Sequence, residues 1–123
     1  MKPESSNVLI VDDDVEICQM IKAILNSKGY SSSICSNGDE VFDALAANKP
    51  DVIVMDMLLS GSDGRDICRK LKSKQETKSI PVLMMSAHPS AEITCTEAGA
   101  NQFISKPFGI NELLDRLELY AVH

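Results

Sequence analysis

Short apolar runs alternate five times with segments of helical spacing, and this alternation constrains the fold more than any other feature of the chain. The runs occupy residues 8–11, 32–35, 52–55, 82–85 and 102–104. The first, third and fourth are apolar throughout, as is typical of strands covered on both faces, whereas the second is more polar and suits a sheet edge. The alternation predicts an α/β fold with a parallel sheet, right-handed crossovers and helices on both faces.

The segments between and after the runs carry helical patterns. In the first segment one apolar stripe is formed by Ile17, Ile21, Ile24 and Leu25. Asp14 is its predicted N-cap and Gly29 its predicted C-cap. The last segment has its stripe at Ile110, Leu113, Leu114 and Leu117, and the middle helices are predicted at residues 39–47, 65–74 and 91–98. A chain of 123 residues fits one domain, so we expect a single domain over residues 1–123.

Charge and cysteine usage exclude several classes of protein. The net charge of −6 argues against a nucleic-acid surface, which needs clustered lysine and arginine. The four cysteines show no metal-type spacing, so we expect them to be reduced. No stretch approaches the ~20 apolar residues that span a bilayer, and residues 1–7 lack the apolar run of a signal peptide. We therefore expect a cytoplasmic protein without membrane contact.

Charged and hydroxyl side chains follow the apolar runs where the predicted strands end. The set is Asp12, Asp13 and Asp14 after the first run, Asp56 after the third, Ser86 after the fourth and Lys106 after the fifth. In an open parallel sheet, ligands bind outside the carboxyl ends of the strands, so these groups are expected at one edge. Gathered carboxylates repel one another unless a counter-charge is present. Their oxygens suit Mg²⁺, and Lys106 supplies a further positive charge.

This combination of side chains predicts phosphoryl transfer. Asp56 can act as a nucleophile toward phosphorus. Mg²⁺ and Lys106 would neutralise the oxygens of the transferring group, and the Ser86 hydroxyl could donate a hydrogen bond to one of them. Each group at the predicted sheet edge thus has a physical role in one reaction.

Four segments, taken in order, resemble the signature segments of bacterial two-component response-regulator receiver domains. They are VLIVDDD at 8–14, DVIVMD at 51–56 with Gly64 eight residues further on, MMSA at 84–87 and AGANQFISKPF at 98–108. The resemblance covers roughly residues 7–119. It implies a flavodoxin-like (βα)5 fold with strand order 2-1-3-4-5 and five helices.

The resemblance also implies roles for individual residues. Asp56 matches the phosphoacceptor and, with its own carboxylate, a Mg²⁺ ligand. Asp13 would contact the metal directly, Asp12 mainly through water, and Leu58 through its backbone carbonyl.

Three further residues match the positions that respond to phosphorylation in such domains. Ser86 matches the hydroxyl residue that moves toward the phosphoryl group, and Phe103 the aromatic residue that changes rotamer. Lys106 matches the lysine of the site, and its bond to Pro107 would be cis. For Phe103, simple core packing stays open as an alternative.

The function implied is two-component signal transduction. The domain would take a phosphoryl group from a histidine kinase or phosphotransfer protein onto Asp56 and switch its partner-binding surface, as a signalling module rather than an enzyme. The downstream partner is not specified. Alternatives are a receiver-like module that works without phosphorylation, an aspartate-nucleophile phosphatase of the haloacid-dehalogenase type, and a flavodoxin-like FMN carrier. Glu16 and the aspartates after the first run weigh against the last two.

The chain departs from the family pattern in three places. Leu59-Ser60 replaces the common Met-Pro, which predicts a looser loop over residues 57–63. Leu58 places an apolar side chain beside the acceptor, where we expect it to shield an acyl phosphate from water. The span from Ser86 to Lys106 is about two residues short, which predicts a short or distorted fourth helix and an unusual output face.

Overall fold

A computed structural model describes residues 6–120, and the ends of the single domain predicted over 1–123 lie outside the described residues. Five strands form one parallel sheet. They are β1 (Asn7–Val11), β2 (Ser31–Cys35), β3 (Val52–Asp56), β6 (Val82–Ser86) and β7 (Gln102–Ser105). The order of the strands across the sheet is β2-β1-β3-β6-β7. When only these five strands are numbered along the chain, the order is 2-1-3-4-5, so the predicted flavodoxin-like fold is confirmed.

Five α-helices connect the strands in the described part of the chain. They are α1 (Val15–Ser27), α2 (Val41–Ala47), α3 (Gly64–Ser73), α4 (Glu92–Glu97) and α5 (Ile110–Glu118). Short 3₁₀ turns at Gly38–Glu40 and Pro89–Ala91 lead into α2 and α4. No helix over residues 6–120 combines the length and the apolar character that crossing a membrane requires.

The sheet separates two apolar cores, because alternate residues of each strand point to opposite faces. Val8 and Ile10 of β1 pack with α1 and α5, whereas Leu9 and Val11 pack with α2, α3 and α4. Both cores consist mainly of buried aliphatic and sulfur-containing side chains, and this burial on both faces explains why the sequences of the central strands are continuous apolar runs.

The ends of α1 follow the predicted capping chemistry. Asp14 Oδ1 accepts hydrogen bonds from the amides of Glu16 and Ile17, at 3.0 and 3.3 Å. Lys28 is the C-cap, and Gly29 is the next residue, with a φ of 87°. The predicted helix end is therefore correct to within one residue.

A small hairpin follows the third strand of the sheet. β4 (Leu58–Leu59) and β5 (Ser62–Asp63) pair antiparallel, and Ser60 and Gly61 form the turn. Gly61 has a φ of 75°, which favours glycine. Residues 57–63, predicted as a looser loop, are therefore held by backbone pairing.

Gly64 closes the base of this hairpin. Its amide donates to the Met57 carbonyl at 2.6 Å. A Cβ at residue 64 would lie 2.5 Å from the carbonyl oxygen of Asp56. Only glycine therefore lets α3 begin this close to the end of β3.

The fourth helix is short, as predicted. α4 has six residues and begins after the 3₁₀ turn at Pro89–Ala91. Arg65 of α3 donates from Nη1 to Thr94 Oγ1 of α4 at 3.0 Å. This side-chain contact joins α4 to α3 in addition to apolar packing.

Candidate functional site

Three carboxylates meet at the carboxyl edge of the sheet. Asp12 and Asp13 follow β1, and Asp56 is the last residue of β3, the strand beside it. One oxygen from each of the three lies within 4.8 Å of the others. Asp12 is 1% exposed and Asp13 lies at the surface, so the cluster runs from the protein interior to solvent.

Lys106 lies between two of these carboxylates. Its Nζ is 3.0 Å from Asp12 Oδ2 and 2.9 Å from Asp56 Oδ1. The amide of Lys106 donates to the Ser86 carbonyl at 2.8 Å, and the Lys106–Pro107 bond is cis, as predicted. The turn after β7 thus holds the lysine over the ends of β1 and β3.

The environment shifts the pKa values of Asp56 and Lys106. Burial raises the pKa of Asp56 above its ordinary value, although the hydrogen bond from Lys106 acts in the opposite direction. Burial alone would lower the pKa of Lys106, but its hydrogen bonds to Asp56 and Asp12 outweigh that effect and raise it. Lys106 is therefore a fixed positive charge at neutral pH.

Asp13 has a different partner, which the sequence did not reveal. The hydroxyl and the amide of Ser60 both donate to Asp13 Oδ2, the amide at 2.9 Å. The hydroxyl hydrogen bond lowers the pKa of Asp13, so the carboxylate is ionised at neutral pH. The only signal in the sequence was a hydroxyl residue in the turn after Leu59.

The other predicted site residues are Ser86 and Leu58, which lie near Asp56 in the strand pairing or along the chain, and Phe103, which lies in one of the apolar cores. Ser86 ends β6, one residue after Met85, which pairs with Asp56. Ser86 is 2% exposed, and its Oγ accepts a hydrogen bond from the His88 amide at 3.0 Å. Leu58 begins the hairpin two residues after Asp56, with its side chain 55% exposed. Phe103 is buried in the core that also contains side chains of α3 and α4. Its carbonyl accepts from Arg116 at 2.8 Å.

The donor set of the cluster fits Mg²⁺. Three carboxylates and one ammonium group leave two negative charges, which a divalent cation balances. Carboxylate oxygens are hard ligands of the kind that Mg²⁺ prefers. Asp12, Asp13 and Asp56 would hold the ion, and no histidine or cysteine belongs to the cluster.

An apolar groove lies beside Lys106. Its volume is about 350 Å³. It is lined by Ile17, Met20, Ala87, Lys106, Pro107 and Phe108, and we call it the α1 groove. Val15 and Met20 on the same helix are exposed. A partner that approaches the carboxylates therefore meets apolar surface next to them.

Comparison with known proteins identifies relatives that agree with the geometry at the carboxyl edge of the sheet. The model of the response regulator receiver domain family matches residues 8–118. A response regulator named MprA from Mycobacterium sp. (strain KMS) is 34% identical over 112 residues, which are 89% of this chain and 48% of that protein. The MprA protein of Mycobacterium bovis (strain BCG / Pasteur 1173P2) is 33% identical over 115 residues, 92% of this chain and 49% of the relative. The chain spans about half the length of these curated relatives.

Solved structures agree in fold over 94% of the chain. A putative response regulator from Chloroflexus aurantiacus has a TM-score of 0.89 at 35% identity, with 96% of its chain covered. Chemotaxis response regulator CheY4 of Vibrio cholerae has a TM-score of 0.86 at 26% identity, with 98% covered. The receiver domain of sensor histidine kinase PA1611 from Pseudomonas aeruginosa, solved with magnesium in its active-site cleft, has a TM-score of 0.84 at 26% identity, with 96% covered. This chain belongs to the receiver domain family of two-component response regulators, a family of signalling modules.

Proposed function

We propose that this receiver domain accepts a phosphoryl group on Asp56 from a histidine kinase or a phosphotransfer protein, in a Mg²⁺-dependent reaction. The observation that carries the proposal is Lys106, whose Nζ contacts both Asp12 and Asp56 while Asp13 completes the carboxylate cluster. The exchange would take place in the cytoplasm, where the four free, buried cysteines fit a reducing compartment.

The transfer forms one bond and breaks another. An oxygen of ionised Asp56 attacks the phosphorus of a phosphohistidine, a P–O bond forms, and the P–N bond breaks as the imidazole nitrogen leaves with the electron pair. Lys106 keeps a positive charge beside the attacking carboxylate. When bound, Mg²⁺ supplies further positive charge next to the phosphoryl oxygens. Asp12, Asp13, Asp56 and the Leu58 carbonyl would hold it.

The response to phosphorylation would begin at Ser86. Its Oγ accepts from the His88 amide, so its hydroxyl proton can be donated to a phosphoryl oxygen on Asp56. A shift of Ser86 would change the packing near Phe103 on the neighbouring strand and so alter the partner-binding surface. The domain would promote its own phosphorylation and dephosphorylation through the groups around Asp56. The movement of Ser86 would make it a switch.

The phosphodonor protein would contact the α1 groove. Lys106 lines this groove and also contacts Asp56, so a donor protein bound in the groove would lie beside the acceptor. The apolar side chains of the groove can bury surface of that partner, which is the main favourable term in association. This contact requires no nucleic acid and no membrane.

Phosphorylation can be tested directly against the alternative of an interaction module that works without it. The protein is incubated with acetyl phosphate and Mg²⁺, and its intact mass is measured. We expect the gain of one phosphoryl group, which is absent in Asp56→Asn and present in Asp115→Asn, a matched change on the exposed side of α5. No labelling of the wild type would support the alternative, whereas equal labelling of Asp56→Asn would show that another residue is the acceptor and would contradict the proposal. The phosphatase and flavin-carrier alternatives are not supported, because the chain belongs to the receiver family.

A further inference from the structure

Two carboxylates of the cluster share Lys106, whereas Asp13 is held by a different residue. Asp12 accepts from the Asp14 amide at 2.9 Å and from Lys106 at 3.0 Å, and Asp56 is paired with Lys106 at 2.9 Å. Within residues 6–120, the ion pairs of Lys106 reach these two carboxylates and not Asp13. Asp13 is instead held from the hairpin, by Ser60.

The contact between Ser60 and Asp13 uses two donors of one residue. The Ser60 amide and hydroxyl both donate to Asp13 Oδ2, across 47 residues of sequence. A carboxylate that is held through one oxygen can still bind a cation through the other. Ligating carboxylates are commonly held in this way, and the loss of the holding group weakens metal binding.

The hairpin gives Ser60 a defined position. Leu58 and Leu59 pair with Asp63 and Ser62, and the turn between them contains Ser60 and Gly61. At the base, the amide of Gly64 donates to Met57. Ser60 therefore reaches Asp13 from a paired turn and not from an unconstrained loop.

Asp13 needs such a partner more than the other two carboxylates. It lies at the surface, where an aspartate side chain without a partner samples several rotamers. Ordering a free side chain when a ligand binds costs free energy. A carboxylate that is already ordered by two donors avoids that cost.

We infer that Ser60 is the positioning residue for Asp13 and that it sets the affinity of the site for its divalent cation. The inference rests on the proposed function, since it concerns the same metal site. Ser60 acts through Asp13, so it needs no contact with the cation or with the phosphoryl group. It connects the hairpin after β3 to the occupancy of the site.

A Mg²⁺ titration of metal-free protein, followed through backbone amide chemical shifts, measures this affinity without any phosphoryl transfer. Ser60→Ala removes the hydroxyl, and we expect the dissociation constant for Mg²⁺ to rise on the order of tenfold. Ser60→Pro removes the hydroxyl and the amide donor, at a turn position that accepts proline, and should weaken binding further. Ser60→Thr keeps both donors and should bind Mg²⁺ with nearly the affinity of the wild type.

The matched control is Ser73→Ala on the exposed side of α3, where the hydroxyl donates to the Lys70 carbonyl. Its affinity for Mg²⁺ should equal that of the wild type. Unchanged binding in Ser60→Ala would overturn the inference, and so would tighter binding, which would mean that Ser60 competes with the cation. If Ser60→Ala does not fold, the comparison of Ser60→Pro with Ser60→Thr decides in the same way. If Ser60 did not position Asp13, Asp56 would still be labelled by acetyl phosphate. Failure of this inference can therefore be distinguished from failure of the proposed function.

Discussion

Lys106 Nζ and Asp56 Oδ1 lie 2.9 Å apart at the carboxyl edge of the sheet. The same ammonium group also contacts Asp12, which is 1% exposed. One positive charge thus compensates two largely buried carboxylates that belong to neighbouring strands. We therefore expect the lysine to contribute to the stability of the fold.

Replacement of this lysine should destabilise the protein. In Lys106→Met, Asp12 and Asp56 remain close together without a counter-charge, and we expect the free energy of unfolding to fall by about 3 kcal/mol. Urea unfolding in a metal-free buffer measures the change, and added Mg²⁺ should recover part of it. Lys70→Met, on the exposed side of α3, is the control and should cost little. A Lys106→Met variant as stable as the wild type would contradict this account.

Asp63 should stabilise α3 in a pH-dependent way. Its Oδ1 caps the helix by accepting from the Arg65 amide at 2.9 Å, and the Arg65 guanidinium holds the pKa of Asp63 below its ordinary value. The folded pKa is lower than the unfolded one, so the stabilisation is complete above the unfolded value of 3.8 and is lost as the pH falls through the folded pKa. Asp63→Ala should lose about 1 kcal/mol near neutral pH.

Unfolding of Asp63→Ala and wild type is compared at several pH values. The difference in free energy of unfolding between them should shrink as the pH falls from 3.8 through the folded pKa. Asp63→Asn, which keeps a capping oxygen without the charge, should lie between the two proteins at neutral pH. A difference that stays constant into strong acid would show that the charge of Asp63 does not contribute.

The four cysteines should be unreactive while the protein is folded. All are buried, and burial together with the negative charge of Asp12 raises the pKa of Cys18 to about 11. At pH 8 the thiolate fraction of Cys18 is then on the order of one in a thousand. Iodoacetamide followed by mass measurement should show no alkylation under native conditions and four additions in urea. Ser73→Cys should be alkylated once in the folded state, and rapid labelling of native wild type would disprove the prediction.

Leu58 should prolong the lifetime of the phosphorylated state. Its exposed side chain begins the hairpin beside Asp56, where an apolar group can keep water from the acyl phosphate. We expect Leu58→Asn to lose the phosphoryl group several-fold faster, because an amide can orient an attacking water. Decay is followed by intact mass after the phosphodonor is removed. Leu119→Asn changes another exposed leucine and should decay at the wild-type rate, and an unchanged rate in Leu58→Asn would exclude shielding.

The sequence predicts the sheet and the carboxylate cluster well, for a physical reason. Strands buried on both faces must be apolar, and charged residues directly after them must lie at the edge of the sheet. This logic brings together Asp12, Asp56 and Lys106 without knowledge of any contact. The short α4 was also predictable, since residues 88–97 contain a proline and two threonines.

The hairpin and its contact with Asp13 could not be predicted in this way. β4 and β5 have two residues each, which is too short for a periodic pattern. The bond between Ser60 and Asp13 depends on where the turn lies in space, because 47 residues separate them. The absence of proline suggested a looser segment, whereas pairing and this hydrogen bond hold it.

The contact between Lys106 and Asp12 joins residues that are 94 positions apart. During synthesis on the ribosome, Asp12 and Asp56 therefore have no ammonium partner until residue 106 has emerged. A nascent chain that ends before residue 102 contains neither β7, the last strand of the sheet, nor Lys106. The charge-balanced carboxylate cluster can therefore form only late in synthesis, after the last strand and the lysine behind it are available.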